Sequence, residues 1–383
     1  MSEKKWVAGW GAAISTVGQT YADYIKDTTF RYVIFPTMNA SKVRLHFSNE
    51  YGTETAVITK IFLAKRKSGE LIDESTNTRV TFGGRSECVM VPGGTVISDE
   101  IDFDVHAGEE FDVSMYFANF TQLTTGQSNN GYYIKKYYAK GDCADKEAMP
   151  FEGLAENEPY VFLNTIDFLT DAADDCKAII AFGDSITAQP WPDCLAHRLY
   201  DLGIRNRSVI REGISGGRVL REYYVRFKAH FGVAGVKRFE RDILKAGADR
   251  VIVLHGINDI IHPAVNSKIC PMEFLPTVEE LTGGLSKYIE IAHRHGMKIY
   301  LATIIPCPRC MNDDGIREEI RCGVNEWIRT KAPCDGVVDF EAAVWNEDDH
   351  KQIQVEYDSG DHLHPSFAGA SHMADSIPLE FLK

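Results

Sequence analysis

Lys177-Ala178-Ile179-Ile180-Ala181-Phe182-Gly183-Asp184-Ser185-Ile186-Thr187 is where the chain changes texture. An apolar, strand-like run over residues 177–182 ends in a glycine and opens onto small polar residues. Downstream, strand-like runs alternate with helix-length segments. Further strands are expected at 207–211, 250–255, 298–304 and 336–340, and helices at 192–202, 233–246, 278–295, 315–330 and 366–382. Such alternation specifies a parallel sheet with helices on both faces. Right-handed crossovers then make it a three-layer, doubly wound α/β domain on a five-stranded parallel sheet.

Upstream the pattern is different. Short runs rich in β-branched and aromatic residues recur at 30–35, 42–47, 55–63, 87–91, 110–116 and 132–138. Turn clusters separate some of them: Asn49-Glu50-Tyr51-Gly52, Gly83-Gly84 and Pro92-Gly93-Gly94. Many short strands with little helical periodicity predict an all-β, jelly-roll-like sandwich. The acidic stretch 171–175 (DAADD) is expected to be the linker, giving a β-sandwich domain over 1–172 and a catalytic domain over 173–383. A length of 383 residues fits two domains at roughly 150 residues each.

Charge narrows the partners. The chain has 41 basic and 55 acidic residues, a net of −14, and no dense basic run. Phosphate binding needs a Lys/Arg patch, so nucleic acid is not an expected partner. An acidic surface also disfavours anionic lipid. No stretch approaches the roughly 18 apolar residues of a membrane span. The N-terminal MSEKKWVAGWGAAIS lacks the apolar core of a signal peptide. Nine cysteines cannot all pair within one chain, so a reducing cytoplasm is the expected compartment. Cys307, Cys310, Cys322 and Cys334 pose a local question. Two close cysteines followed by two more suggest zinc. However, only one C-x-x-C is present and Cys322 falls inside the expected helix 315–330, so unliganded thiols are the expectation.

Ligands of open α/β sheets sit at the carboxyl ends of the strands. The first strand is followed by Gly183-Asp184-Ser185-Ile186, the second by Gly213-Ile214-Ser215-Gly216-Gly217-Arg218, and the third by Gly256-Ile257-Asn258-Asp259. Asp361-His362-Leu363-His364-Pro365 precedes the last helix. These segments supply a hydroxyl, backbone donors beside small residues, a carboxamide and a carboxylate–imidazole pair, the parts of an acyl-transfer site.

The four ordered blocks resemble the SGNH (GDSL-type) serine hydrolase superfamily over about 200 residues. The whole chain resembles a bacterial branch of these esterases that carries an N-terminal β domain. That similarity includes Trp10-Gly11, Leu45-His46-Phe47-Ser48-Asn49 with Tyr51-Gly52, and Val80-Thr81-Phe82-Gly83-Gly84. The resemblance implies a flavodoxin-like catalytic sheet. It also implies Ser185 as nucleophile, His364 as general base and acid, and Asp361 as the residue that orients His364. The oxyanion hole would consist of the Ser185 N–H, the Gly216 N–H and the Asn258 carboxamide. A hydroxyl attacks well only when a base takes its proton, and imidazole suits that role near neutral pH.

Each of these residues also has a plainer explanation. Ser185 could simply cap the following helix. Gly213-Ile214-Ser215-Gly216-Gly217 formally matches G-x-S-x-G, which makes Ser215 a rival nucleophile. His362 competes with His364. Asp358, Asp361, His362 and His364 could together hold a metal; no metal is expected, because serine chemistry already accounts for the segment. Asn258 could be only an Asx-turn residue. Asp184 is expected to be structural. Trp191, Asp259 and His255 are the candidates for the substrate wall. The aromatic run 132–138 could stack on sugars or fill a sandwich core.

The sequence therefore predicts a serine esterase without cofactor, acting on short acyl esters, acetyl above all, of a small molecule or oligosaccharide. The competing activities are lysophospholipase or thioesterase chemistry, and carbohydrate binding with a vestigial site. A homo-oligomer is left open.

Overall fold

The computed structural model describes residues 3–17, 23–127, 133–150, 159–223, 226–264, 269–308 and 315–383. The chain divides into two compact units: Met1–Ala178 with Leu199–Ile210, and Ile179–Arg198 with Arg211–Lys383.

The first unit is built from antiparallel strands. In one sheet Leu163–Asp171 lies between Lys4–Gly11 and Ala40–Ser48, and Ala40–Ser48 also pairs with Thr95–Ile97 and Ile101–Val105. In the other, Phe111–Phe117 lies between Thr28–Ile34 and Lys60–Ser68, with Lys136–Lys140 beyond Thr28–Ile34. Aromatic rings from the two sheets meet: Phe103 with Phe111 at 5.4 Å, and Phe111 with Phe168 at 6.3 Å between centroids. Ile101–Val105 alternates buried and exposed residues along its length, as a strand with one face in the core must. The expected all-β sandwich is therefore present, with its strands antiparallel. Within the aromatic run, Tyr132 lies outside the described residues, and Tyr137 is buried in a cluster with Val33, Ala139, Cys143 and Met149. The acidic stretch after Leu163–Asp171 is a single 3-10 turn, Ala172–Asp174. Asp171 caps it by accepting the Ala173 N–H, and Asp175 at φ 47° closes it.

The second unit carries the site. The sheet at the site consists of β1 (Lys177–Gly183), β2 (Arg207–Gly213), β3 (Ala248–Leu254), β4 (Lys298–Ala302) and β5 (Gly336–Val338), in the order β2-β1-β3-β4-β5. The β3–β4 and β4–β5 pairs are parallel. Residues 178–183 of β1 are all buried, which is why that strand is an unbroken apolar run rather than an alternating one. The helices are α1 (Ser185–Ala188), α2 (Trp191–Asp201), α3 (Gly235–Ile243), α4 (Ile257–Ile261), α5 (Val278–Arg294), α6 (Ile316–Thr330), α7 (Phe340–Val344) and α8 (Phe367–Ser376). They form two groups. α3 packs on α5 and α5 on α6. α2 meets α7 through the Trp191–Phe340 ring contact, and meets α8 through Arg198, which donates to the Ala374 and Ile377 carbonyls. A reciprocal capping box, Thr277 with Glu280, starts α5.

The last helix is shorter than its apolar pattern predicts. It stops at Ser376 because Pro378 disfavours helical backbone at Ile377; residues 379–381 form a separate 3-10 turn. Among the described residues no helix is long and apolar enough to cross a membrane.

Candidate active site

The order β2-β1-β3 sets the three strand ends that carry the candidate residues side by side. Gly183 ends β1 at a point of close approach. A Cβ there would lie 2.1 Å from the Leu254 carbonyl oxygen of β3 and 2.4 Å from Thr187 Oγ1. The Ile214 N–H, just past β2, donates to the Gly183 carbonyl at 3.1 Å.

Ser185 is the first residue of α1, but it is not the cap. Asp184 is the N-cap, and its carboxylate accepts the Ile186 N–H at 3.1 Å. Burial, with Asp259 adding to it, pushes the Asp184 carboxyl up to about 7, against the pull of the Ile186 and Gly256 N–H groups. The Ser185 hydroxyl is consequently available for another partner. That partner is His364, whose Nε2 lies 2.8 Å from Ser185 Oγ. His364 Nδ1 lies 2.6 Å from Asp361 Oδ2. The other oxygen of Asp361 accepts the Leu363 N–H at 3.0 Å, the His364 N–H at 2.8 Å and the Ser359 hydroxyl at 3.1 Å. Partial burial opposes ionisation of Asp361, but the His364 and Leu363 bonds outweigh it and hold the carboxyl well below the usual carboxylate range. Asp361 is therefore a fixed anion behind a ring whose far nitrogen faces a serine.

The rivals are placed elsewhere. His362 sits at φ 61°, and its Nδ1 lies 2.5 Å from Asp358. The four-residue cluster that could have held a metal is thus split into two carboxylate–imidazole pairs. Ser215 lies in a turn closed by the Gly217 N–H donating to the Ile214 carbonyl at 2.9 Å, and no imidazole reaches it among the described residues.

Gly216, in the same turn, has φ 76°. Its N–H meets no acceptor among the described residues. Asn258 is buried in α4 and donates to the Gly217 carbonyl at 3.0 Å through Nδ2. It ties the Gly216 turn to the end of β3, which a simple Asx turn would not do.

The three residues expected to line the substrate are core residues instead. Trp191 is 0% exposed: its Nε1 donates to Thr187 Oγ1 and its ring packs on Phe340. Asp259 is buried and accepts the Val219 N–H at 2.7 Å and the Leu220 N–H at 3.0 Å, pinning the loop after β2. His255 is buried beneath the site, stacked on Tyr288 and bonded to its hydroxyl at 3.1 Å; burial, with Arg238 nearby, lowers it to about 3 and keeps it neutral. A side chain sealed in this way has no surface to offer a substrate.

Arg238 escaped the sequence argument. It lies on α3, 1% exposed, and donates to the Gly183 carbonyl at 2.7 Å, the Glu212 carbonyl at 3.0 Å and Asp242 at 2.6 Å. One guanidinium therefore fixes the ends of both β1 and β2. An arginine on the apolar side of a short helix was the available signal.

Of the cysteine quartet, Cys310 lies outside the described residues. Cys307 is buried, Cys322 is exposed beside Glu318, and Cys334 donates to the Gly336 carbonyl. Among the described residues no three His, Cys, Asp or Glu side chains are grouped to hold a metal ion.

Residues 181–371 match the GDSL-like Lipase/Acylhydrolase family. Similar solved structures include a GDSL-like lipase from Bacteroides thetaiotaomicron, at 18% identity and TM-score 0.39, over 55% of this chain and 90% of that one. Another is an acetylxylan esterase from Geobacillus stearothermophilus, at 19% identity and TM-score 0.39, over 54% of this chain and 94% of that one. No curated protein matches the chain.

Proposed function

The chain belongs, through residues 181–371, to the GDSL-like lipase/acylhydrolase family, and on that premise we propose that it is a serine esterase for short acyl esters, acetyl above all, on carbohydrates. The observation that carries the reading is the continuous hydrogen-bond chain Ser185 Oγ–His364 Nε2 at 2.8 Å and His364 Nδ1–Asp361 at 2.6 Å.

The steps derive from that chain. Ser185 attacks the ester carbonyl while His364 accepts its proton, and Asp361 holds the ring and stabilises the imidazolium. The Ser185 N–H, the Gly216 N–H and the Asn258 amide receive the oxyanion, each donor being worth about 3 kcal/mol in the barrier. His364 then protonates the departing alkoxide. In the second half it deprotonates a water that attacks the acyl-enzyme, releasing the acid and restoring Ser185. No cofactor enters. The acidic balance suits a neutral sugar ester better than an anionic lipid surface. The free thiols of Cys88, Cys143, Cys176, Cys194, Cys270, Cys322 and Cys334 support work in a reducing cytoplasm.

Activity on p-nitrophenyl esters of increasing acyl length, together with acetic acid release from acetylated oligosaccharides, tests the proposal. Acetyl should be the best acyl group. A preference for eight carbons or more would instead indicate a lysophospholipase or thioesterase. Glycan binding without turnover of any activated ester would indicate a vestigial site.

A further inference from the structure

The direction a side chain would take from Gly216 is filled by Phe231. A Cβ on Gly216 would lie 2.3 to 2.5 Å from Cδ1, Cγ and Cε1 of that ring. The contact belongs to a longer clamp. The Gly235 N–H donates to the Arg218 carbonyl at 2.7 Å and the Val236 N–H to the Val219 carbonyl at 3.1 Å, so residues 231–236 run beside the loop that carries Gly216. From α4, Asn258 and Asp259 hold the same loop through Gly217, Val219 and Leu220.

The ring itself is braced. Phe231 stacks on His262, with centroids 5.8 Å apart and planes at 17°, and meets the Tyr223 ring edge-on at 5.2 Å. The Tyr223 hydroxyl is hydrogen-bonded to His262 Nδ1. The Arg218 guanidinium lies 4.1 Å over the Tyr223 ring and donates to the Arg221 and Glu222 carbonyls.

We infer that Phe231 is a positioning residue for the oxyanion hole: its braced ring holds Gly216 at φ 76° and thereby aims the Gly216 N–H. The inference rests on the serine-esterase reading above and deepens it. Glycine occupies several backbone basins at similar energy, so something outside it must select one. An oxyanion donor works only if it is held near its productive direction before charge develops. A ring against the Cα supplies that selection without touching substrate.

Steady-state kinetics on p-nitrophenyl acetate, with wild type beside Ser185→Ala, Phe231→Ala, Phe231→Tyr, Gly216→Ala and the Phe231→Ala/Gly216→Ala double variant, test it. Losing one oxyanion donor outright lowers kcat by about 10²–10³-fold, so loosening one should lower it by about 10–100-fold. KM should stay within about 3-fold, because the donor acts in the transition state. Phe231→Tyr keeps the ring and should stay within about 3-fold of wild type in both constants. The double variant should be no worse than Gly216→Ala alone, since the two residues act through one contact. If Phe231→Ala proves unfolded by circular dichroism, Phe231→Leu replaces it with the same expected split. A change in KM alone, a wild-type kcat, or losses that multiply in the double variant overturn the inference. Those results would leave the esterase reading intact, provided that Ser185→Ala is inactive. A wild type no more active than Ser185→Ala overturns the reading itself.

Discussion

Asp184 caps the helix that Ser185 begins. Its carboxylate takes the Ile186 N–H at 3.1 Å, and the Ser185 hydroxyl lies 2.8 Å from His364 instead. Capping and reacting are thus assigned to neighbouring residues, which separates stability from activity. Ser185→Ala should lower kcat on p-nitrophenyl acetate by at least about 10³-fold. Its urea midpoint should stay close to wild type, because no cap is lost. Asp184→Ala should instead destabilise the fold by about 1–2 kcal/mol, as loss of a cap does. Ser215→Ala should keep most activity. If Ser215→Ala is the inactive variant and Ser185→Ala the active one, the nucleophile is wrongly assigned.

The two histidines of the 358–364 segment make a second discriminating pair. His362 is paired with Asp358 and more than half exposed, whereas His364 spans Asp361 and Ser185. His364→Ala should cost about 10³–10⁶ in kcat, the range for losing the base of a serine triad. His362→Ala touches none of the reacting groups and should stay within about 5-fold, well outside that range. Comparable losses in both variants would mean that His362 also serves the reaction.

The catalytic sheet was legible in the chain because parallel strands buried on both faces are continuous apolar runs. Topology then brings the loops after β1, β2 and β3 to one edge of that sheet. The strand Lys4–Gly11 was not legible. Gly9 interrupts its pattern, and the reason is tertiary: a Cβ at Gly9 would fall 2.2 Å from the Phe168 ring of the neighbouring strand. Trp191, Asp259 and His255 misled for a related reason. Proximity in sequence to Ser185 and Asn258 says where the backbone goes, not whether the side chain points to solvent or to core. Arg238 was missed because the partners that tie it to the site are the Gly183 and Glu212 carbonyls of two strands, which no local motif encodes; its pairing with Asp242 four residues on is local but does not point to the site.

Acid and base should act on this site in a defined direction. Burial raises the Asp184 carboxyl to about 7 in the folded chain, from about 3.9 when unfolded. Between those values the folded state binds the extra proton, so this group favours folding at low pH, and its contribution is lost as pH rises through 7. Asp361 has the opposite sign: its depressed carboxyl stabilises the fold above the unfolded value near 3.9 and loses that effect on acidification below it. The gap in unfolding free energy between Asp184→Asn and wild type should therefore move in favour of the variant from pH 4 to pH 7, by at most about 1.4 kcal/mol per pH unit. A gap that does not change across that window would mean that Asp184 is ionised throughout. Activity of Asp184→Asn should stay within about 10-fold, since asparagine also caps well and the carboxylate touches no reacting atom.

Arg238 gives the most severe prediction. Its guanidinium bonds to Gly183, Glu212 and Asp242 and lies 4.1 Å from the Phe182 ring centroid, all out of solvent. Arg238→Met keeps the bulk but leaves two carbonyls and the Asp242 carboxylate without this partner, which should destabilise by about 3–5 kcal/mol. Arg241 still reaches Asp242 at 2.7 Å, so the charge is only partly compensated. Removing both buried charges in Arg238→Met/Asp242→Asn should recover part of the loss, because what hurts most is the uncompensated ion. Arg238→Lys supplies a point charge without the fork, so it cannot hold Gly183 and Glu212 together and should fall between wild type and Arg238→Met. The same order should appear in kcat at temperatures where all variants are folded, because Gly183 sets the position of Asp184 and Ser185. Urea melts beside kcat measurements decide it. A stable Arg238→Met enzyme with wild-type turnover would show that the strand ends hold themselves.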